Sequence, residues 1–363
     1  MGATGTLRAV RGSDRARAEL LPRSLAGGRE RGARPRARNA GPESSPPLIR
    51  LLAIVGPTGT GKSGLAVEIA RRIGGEIVGC DALQVYRGLD SATAKPGPVE
   101  RREIRHHLID AVDPRHAFSL AEFVARAERA IAEIVARGHV PIVVGGTGLY
   151  LRGLLRGIVA LPPRDALLRA RLRAVAERRG TGFLHRWLAR VDPDSAARLA
   201  AGDSQRILRA LELGLSTSRT WSARLRDEGS FRSGAERYRT VKVGLRLDRQ
   251  ALARRLDARV GQFFEAGLVE EVRALLAAGV PAEANALKAI GYREVVRALR
   301  AGADPTAVAA EVQRSTRRYA KRQLTWFRRE PGLLWLDAGE DRARLVERVL
   351  ELWNGQAQPE ATV

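Results

Sequence analysis

The octapeptide GPTGTGKS, residues 56–63, constrains this chain more than any other feature of its sequence. It follows the apolar run LIRLLAIV and leads into GLAVEIARRI, a stretch with helical character. Gly56, Gly61, Lys62 and Ser63 fit the spacing G-x-x-x-x-G-K-[ST], and a buried strand before and a helix after are the context that pattern requires. Across Gly56, Pro57, Thr58, Gly59, Thr60 and Gly61 the glycines let backbone N–H groups turn inward on phosphate oxygens. The start of the helix adds partial positive charge. In this arrangement Lys62 reaches a terminal phosphate and the Ser63 hydroxyl ligates Mg²⁺. A glycine-rich turn without a ligand is the plainer reading, but it leaves the Lys-Ser pair without a purpose. The loop specifies phosphate rather than chemistry, because kinases, NTPases and other transferases share it.

From residue 48 the pattern is α/β. Strands are expected at 49–55, 76–79, 140–144, 240–246 and 333–336, separated by 3.6-periodic stretches such as 120–137 and 248–277. Alternation of this kind, opening on a phosphate loop, implies a P-loop-type parallel sheet wrapped by helices, with ligands at the carboxyl ends of the strands. Residues 161–237 break the rhythm: they open with LPPRD, lack a clear strand and carry a net charge of +7. They are expected to form an all-helical insertion domain, with 48–160 and 238–345 as the catalytic core. A basic amphipathic helix is expected over 305–329, and 346–363 reads as the end of a terminal helix and a tail.

The formal charge of +23 points to a polyanionic partner, nucleic acid above all. Residues 1–47 account for +6 of it, leaving +17 (23 − 6) on the body. That segment is rich in Arg, Gly, Pro, Ser and Ala with almost no aromatic or β-branched residues, so it is expected to be a disordered, dispensable tail. Asp14, Glu19, Glu30 and Glu43 argue against an organelle transit peptide. No apolar run approaches the 18 residues of a membrane span. A single cysteine, Cys80, excludes an internal disulfide framework and a four-cysteine zinc site, and suits a reducing cytosol. His106 and His107 are adjacent and share no face well, so zinc is not expected.

After the second strand comes CDALQVYRGLDSATAKP, residues 80–96, where Asp81 has three open roles: Mg²⁺ ligand, helix cap or base. The third long strand ends in VVGGTGLYL, residues 143–151. A phosphate-loop NTPase offers a metal-binding aspartate there; this chain offers Gly145, Gly146 and Thr147, which counts against ATP hydrolysis.

Together these stretches resemble the tRNA dimethylallyltransferases of bacterial type. GPTGTGKS, DALQVYRGLDSATAKP, HHLIDAVDP with FSLAEF, VVGGTGLYLRGLL, DSQRILRALEL, KAIGYRE and AKRQLTWFRRE occur in that family's order from about residue 48 to 340. The departures are mild: Ala82 where a serine is common, Ser63 where many members have threonine, and the N-terminal tail. The resemblance implies that the loop Gly56–Ser63 holds the diphosphate of dimethylallyl diphosphate. The dimethylallyl group would pass to the exocyclic N6 amine of the adenosine 3′ of the anticodon. Asp81 would take the amine proton, a role suited to a base in hydrogen-bond reach. Lys62, Ser63 with Mg²⁺, and Arg259 would offset charge on the departing diphosphate. Thr147 would contact the base or its ribose. Arg255 and Arg259, four apart on one helical face, equally suit a solvated surface.

The same resemblance places tRNA contacts on Asp81, Ala82, Leu83 and Gln84, on Arg169, on Gln205, Arg206, Ile207, Leu208 and Arg209, and on Lys288, Ala289, Ile290, Gly291, Tyr292 and Arg293. It adds Lys321, Arg322, Gln323, Leu324, Thr325, Trp326, Phe327 and Arg328. Basic side chains interleaved with rings suit a splayed single-stranded loop, charge for the backbone and rings for the bases. Leu324, Trp326 and Phe327 equally suit a core, and for Phe327 the core reading is preferred. The expected partners are the tRNA anticodon stem-loop and dimethylallyl diphosphate, for a cytoplasmic, monomeric bacterial enzyme. No Cys/His cluster stands near the C-terminus, where eukaryotic members tend to carry a zinc finger. Three readings compete: a nucleoside-monophosphate-kinase-type phosphotransferase, an adenylate isopentenyltransferase and an RNA-binding protein without catalysis. The first two give the basic body no role, and the last gives the phosphate loop none.

A chain beginning at Pro47 is expected to fold and to modify tRNA within a few-fold of the full-length rate. For each RNA phosphate that the tail neutralises, its removal should lower the salt-dependence slope of binding by about 0.9. Truncation that abolishes turnover contradicts this reading of the tail.

Overall fold

The computed structural model describes residues 48–159, 161–162, 164–217, 219–227 and 234–355; the expected tails at 1–47 and 356–363 lie outside the described residues. β1 (Arg50–Val55) is buried along LLAIV and delivers the phosphate loop to the start of α1 (Lys62–Ile73). β2 (Gly75–Gly79), α2 (Pro98–Glu103), β3 (His106–His107), α3 (Leu120–Ala136), β4 (Val140–Gly145) and α4 (Gly148–Arg156) follow. Five helices then come before the next strand: α5 (Ala166–Arg179), α6 (Thr181–Val191), α7 (Pro193–Arg198), α8 (Ser204–Ser216) and α9 (Trp221–Asp227). The chain returns to the sheet in β5 (Arg239–Arg246), then α10 (Arg249–Glu265), α11 (Leu268–Ala277), α12 (Tyr292–Arg300), α13 (Ala309–Phe327), β6 (Leu333–Asp337) and α14 (Arg342–Gly355). Among the described residues no helix is long and apolar enough to cross a membrane.

The six strands lie in the order β3-β2-β4-β1-β5-β6, and every pairing is parallel. A parallel sheet needs helices on both faces, which is why β1 and β4 read as nearly continuous apolar runs. One face carries Leu51, Ala53, Val78 and Val143 against Phe123, Ile131, Leu154 and Phe327. The other carries Leu52, Ile54, Ile77 and Ile142 against Leu65, Ile69, Val346 and Val349, from α1 and α14. The helices between β4 and β5 hold a cluster of their own around Leu172, Leu184, Leu188, Ile207 and Leu211. The chain leaves β1 toward β2 on one side and takes β5 on the other, so the crevice at the carboxyl ends of β1, β2 and β4 is the switch point where ligands bind.

Three expectations about elements need correction. The edge strand β3 has no counterpart among the expected strands, because two residues are too few for an alternating pattern; it pairs His106 with Ile77. The stretch 248–277 is two helices, broken at Gly267, whose φ of 86° glycine adopts freely. The helix expected over 305–329 begins at Ala309, because Asp304 ties the preceding residues into a turn by accepting from the Thr306 N–H at 2.8 Å.

The pair Gly145-Gly146 has a packing cause. A Cβ on Gly145 would stand 2.0 Å from the Cys80 carbonyl oxygen, so β2 and β4 meet closely only with glycine there. Gly145→Ala is therefore expected to lower stability by about 1–3 kcal/mol, as overpacking does, read by denaturant melting. An unchanged midpoint contradicts the close approach.

Candidate active site

A cavity of about 710 Å³ opens at this switch point, lined by phosphate-loop residues Thr58, Gly59, Gly61, Lys62 and Ser63, by Asp81–Gln84, and by α10 and α13. Gly59 and Gly61 have φ of 84° and 78°, and a Cβ on Gly56 (φ 138°) would meet the Leu245 carbonyl oxygen at 2.4 Å. These are conformations that only glycine adopts cheaply. The amides of Gly59, Thr60 and Gly61 donate to no other described residue, so they remain available to an anion. The Thr60 hydroxyl and the Lys62 ammonium both donate to the Pro57 carbonyl, at 3.0 and 2.7 Å, which braces the loop from inside. From outside, Arg255 donates to the Gly59 carbonyl at 3.3 Å and Arg259 to the Thr58 hydroxyl at 3.2 Å. Arg259 is half-buried beside the loop and Arg255 is exposed.

Electrostatics favour an anion here. Burial pushes the Lys62 ammonium down to about 8; the Asp81 carboxylate opposes that shift and Arg259 adds to it. Burial also lowers Arg259, again against the pull of Asp81. Lys62 and Arg259 thus flank the single carboxylate Asp81, with Arg255, Lys288, Arg293 and Arg322 also on the cavity wall, and a diphosphate entering it would meet a net positive field.

Asp81 does two things at once. Its Oδ1 accepts the Leu83 N–H at 2.9 Å and the Gln84 N–H at 3.4 Å, closing the turn after β2. Its Oδ2 holds no bond to a described residue. Of the roles left open by the sequence, the structure shows the cap, on Oδ1, and leaves Oδ2 uncommitted. Thr147 clamps the same turn, its amide donating to the Cys80 carbonyl at 3.3 Å and its hydroxyl accepting from the Ala82 N–H at 3.3 Å.

Other expected RNA contacts scatter. Ala82, Leu83, Lys288, Ala289, Ile290, Arg293 and Arg322 line the main cavity. Gln84 does too, but its amide donates to the Thr93 and Ala94 carbonyls at 3.0 and 2.9 Å. Gln205 and Arg206 are exposed on α8, whereas Ile207 and Leu208 are core. Arg169 is buried against Glu212 at 2.8 Å, which Arg209 approaches at 3.0 Å. The two guanidiniums and the Asp165 N–H, which donates to Glu212 at 2.7 Å, together outweigh burial and hold the Glu212 carboxyl below the usual range. Arg169 and Arg209 thus brace the helices between β4 and β5, and Arg206 is the arginine of that group open to solvent. Tyr292 is fully buried with its hydroxyl on Glu271, and Gly291 (φ 93°) caps α12. Phe327 is core at 1% exposure. On α13, Lys321, Arg322, Thr325 and Trp326 line a second, basic cavity of about 540 Å³ with Arg152, Arg318 and Arg329. Leu324 is half-buried and Arg328 exposed. Gln323 turns inward and is 5% exposed.

The IPP transferase family model matches residues 84–330. A tRNA dimethylallyltransferase of Geobacter metallireducens is 48% identical over 288 residues, 79% of this chain and 92% of that protein. One from Solibacter usitatus is 49% identical, covering 82% of this chain and 97% of its own. Among solved structures, the full-length tRNA isopentenylpyrophosphate transferase from Bacillus halodurans matches with a TM-score of 0.63 at 34% identity, over 85% of this chain and 96% of that one. A eukaryotic dimethylallyltransferase captured acting on tRNA matches with a TM-score of 0.72 at 25% identity, over 86% of this chain and 81% of that one.

The chain belongs to the IPP transferase family.

Among the cavity residues that the sequence does not single out are Thr316 and Tyr319, which line the main cavity from α13 with Gln323. Their spacing of three and four residues along one helical face is the signal that marks them. Burial, with the nearby Asp81 carboxylate, pushes the Tyr319 hydroxyl pKa up, against the lowering effect of Thr147 beside it, so it stays protonated at neutral pH.

Lys62 offers a direct check of this electrostatic account. Competitive acetylation of the free protein should give a reactivity midpoint near pH 8, moving upward when pyrophosphate binds, because the anion favours the charged amine. A midpoint at the ordinary lysine value contradicts the desolvated site.

Proposed function

We propose that this transferase moves a dimethylallyl group from dimethylallyl diphosphate to the N6 amine of the adenosine 3′ of the tRNA anticodon, releasing diphosphate. The observation that carries the reading is the junction of three features in one cavity. They are an anion-ready loop, a carboxylate with one uncommitted oxygen, and a β4 terminus of Gly-Gly-Thr where a nucleotide-hydrolysing relative would hold an acid. Such a cavity suits breaking a carbon–oxygen bond, since no water has to be aimed at a phosphorus atom.

The bond between the dimethylallyl C1 and the diphosphate oxygen breaks, and its electron pair leaves with the diphosphate. Lys62, Arg259 and the loop amides are placed to receive that charge without reorganising. The adenine N6 forms the new bond to C1 and gives its proton to Oδ2 of Asp81. Thr147, fixed beside Asp81, is placed to orient the base. The half-buried Ser63 hydroxyl is the protein ligand suited to Mg²⁺, which when bound would neutralise part of the diphosphate charge.

Incubation with dimethylallyl diphosphate, Mg²⁺ and unmodified tRNA should yield N6-dimethylallyladenosine on nucleoside digestion, with no dependence on ATP. Product on AMP alone, or ATP-dependent phosphorylation, contradicts the assignment. Asp81→Asn keeps the acceptor for the Leu83 N–H and so preserves the turn. It should lower kcat by about 10²–10⁴-fold, with tRNA and donor binding little changed and the acidic limb of the pH profile lost. Near-normal kcat contradicts the base role.

A further inference from the structure

Gln323 lies within KRQLTWFR, the basic segment that suits RNA, yet its side chain points away from solvent. Its Oε1 accepts the Thr58 N–H at 2.9 Å and its Nε2 donates to the Gly146 carbonyl at 2.9 Å. Those two partners fix the amide's orientation, since one offers a donor and the other an acceptor. Thr58 belongs to the phosphate loop, and Gly146 stands one residue before Thr147. One amide therefore spans the donor side and the acceptor side of the cavity.

We infer that Gln323 is a positioning residue of the phosphate loop rather than an RNA contact, setting the separation between the loop and the Gly146-Thr147 turn. Pro57 has no N–H, so Thr58 supplies the first amide after Gly56, and Gln323 turns that amide out of the hollow. Gly59, Thr60 and Gly61 keep their amides uncommitted. The loop is thus held at a point that does not compete with phosphate. Gly146 fits the same account. Its φ is not in the left-handed region, and a Cβ there would stand 2.2 Å from Nε2 of Gln323, with the next neighbour beyond the amide, the Gly56 carbonyl oxygen, at 3.5 Å. The glycine makes room for the Gln323 amide. Lys321 and Arg322 on the same helix are exposed, so α13 offers cations outward and this one amide inward.

The inference rests on the cavity being a diphosphate site, and its test is independent of prenyl transfer. The measurement is calorimetric titration of the full chain with pyrophosphate and Mg²⁺, beside tRNA binding and thermal melting. Gln323→Met keeps the length and loses both hydrogen bonds; it should weaken pyrophosphate binding about tenfold while tRNA affinity stays within about twofold. Gly146→Ala displaces the amide while keeping Gln323 in the sequence and should reproduce that loss. The double variant should be no worse than either single one, because both remove the same bridge. Unchanged pyrophosphate affinity in Gly146→Ala, additive losses in the double variant, or a loss confined to tRNA binding would each overturn the inference. If Gln323→Met fails to fold, Gly146→Ala decides alone. A wild-type protein that binds pyrophosphate but transfers no prenyl group counts against the proposed function and leaves this inference intact.

Discussion

The close approach of β2 and β4 at their carboxyl ends organises everything that follows. Cys80 donates its N–H to the Val144 carbonyl at 2.8 Å and accepts the Thr147 N–H at 3.3 Å, with Gly145 leaving no side chain between the strands. That pinch sets Asp81 and Thr147 side by side at the top of the sheet. On the other side of β4, the register Val55↔Gly145 brings the end of β1, and hence the phosphate loop, to the same level. Three stretches that share no sequence neighbourhood are thereby brought to one level by strand pairing, and side-chain hydrogen bonds from Asp81, Thr147 and Gln323 hold them there.

The second constraint is charge. Lys62 and Arg259 are desolvated beside a carboxylate, an arrangement that is costly without a ligand and favourable once a diphosphate fills the space. Asp81 is held in place within the same field by the Leu83 and Gln84 amides on its Oδ1. In the proposed reaction, donor binding and proton acceptance would draw on one electrostatic arrangement, assembled from α1, α10 and the turn after β2.

Much of this is legible in the residues. The phosphate loop is readable because glycine spacing, a lysine and a hydroxyl between strand and helix serve few purposes besides holding phosphate. The long strands are readable because burial on both faces demands uninterrupted apolar runs. What stays hidden depends on which way a side chain turns. The pairing of Arg169 with Glu212, 43 residues away, carries no local signal in the sequence. Tyr292 and Gln323 sit in basic, aromatic-rich segments yet face inward. Tyr319 escapes a sequence reading because its partner Thr147 lies on a distant strand end, and β3 because it is two residues long.

The central claim is that the loop holds a diphosphate leaving group rather than a phosphoryl donor, and the fate of one oxygen tests it most directly. Dimethylallyl diphosphate labelled with ¹⁸O at the bridging C–O–P position should, after turnover on tRNA, release pyrophosphate that retains the label, with none in the modified nucleoside. Label left on the five-carbon fragment, or unlabelled phosphate released in step with turnover, would show cleavage at phosphorus and contradict the account.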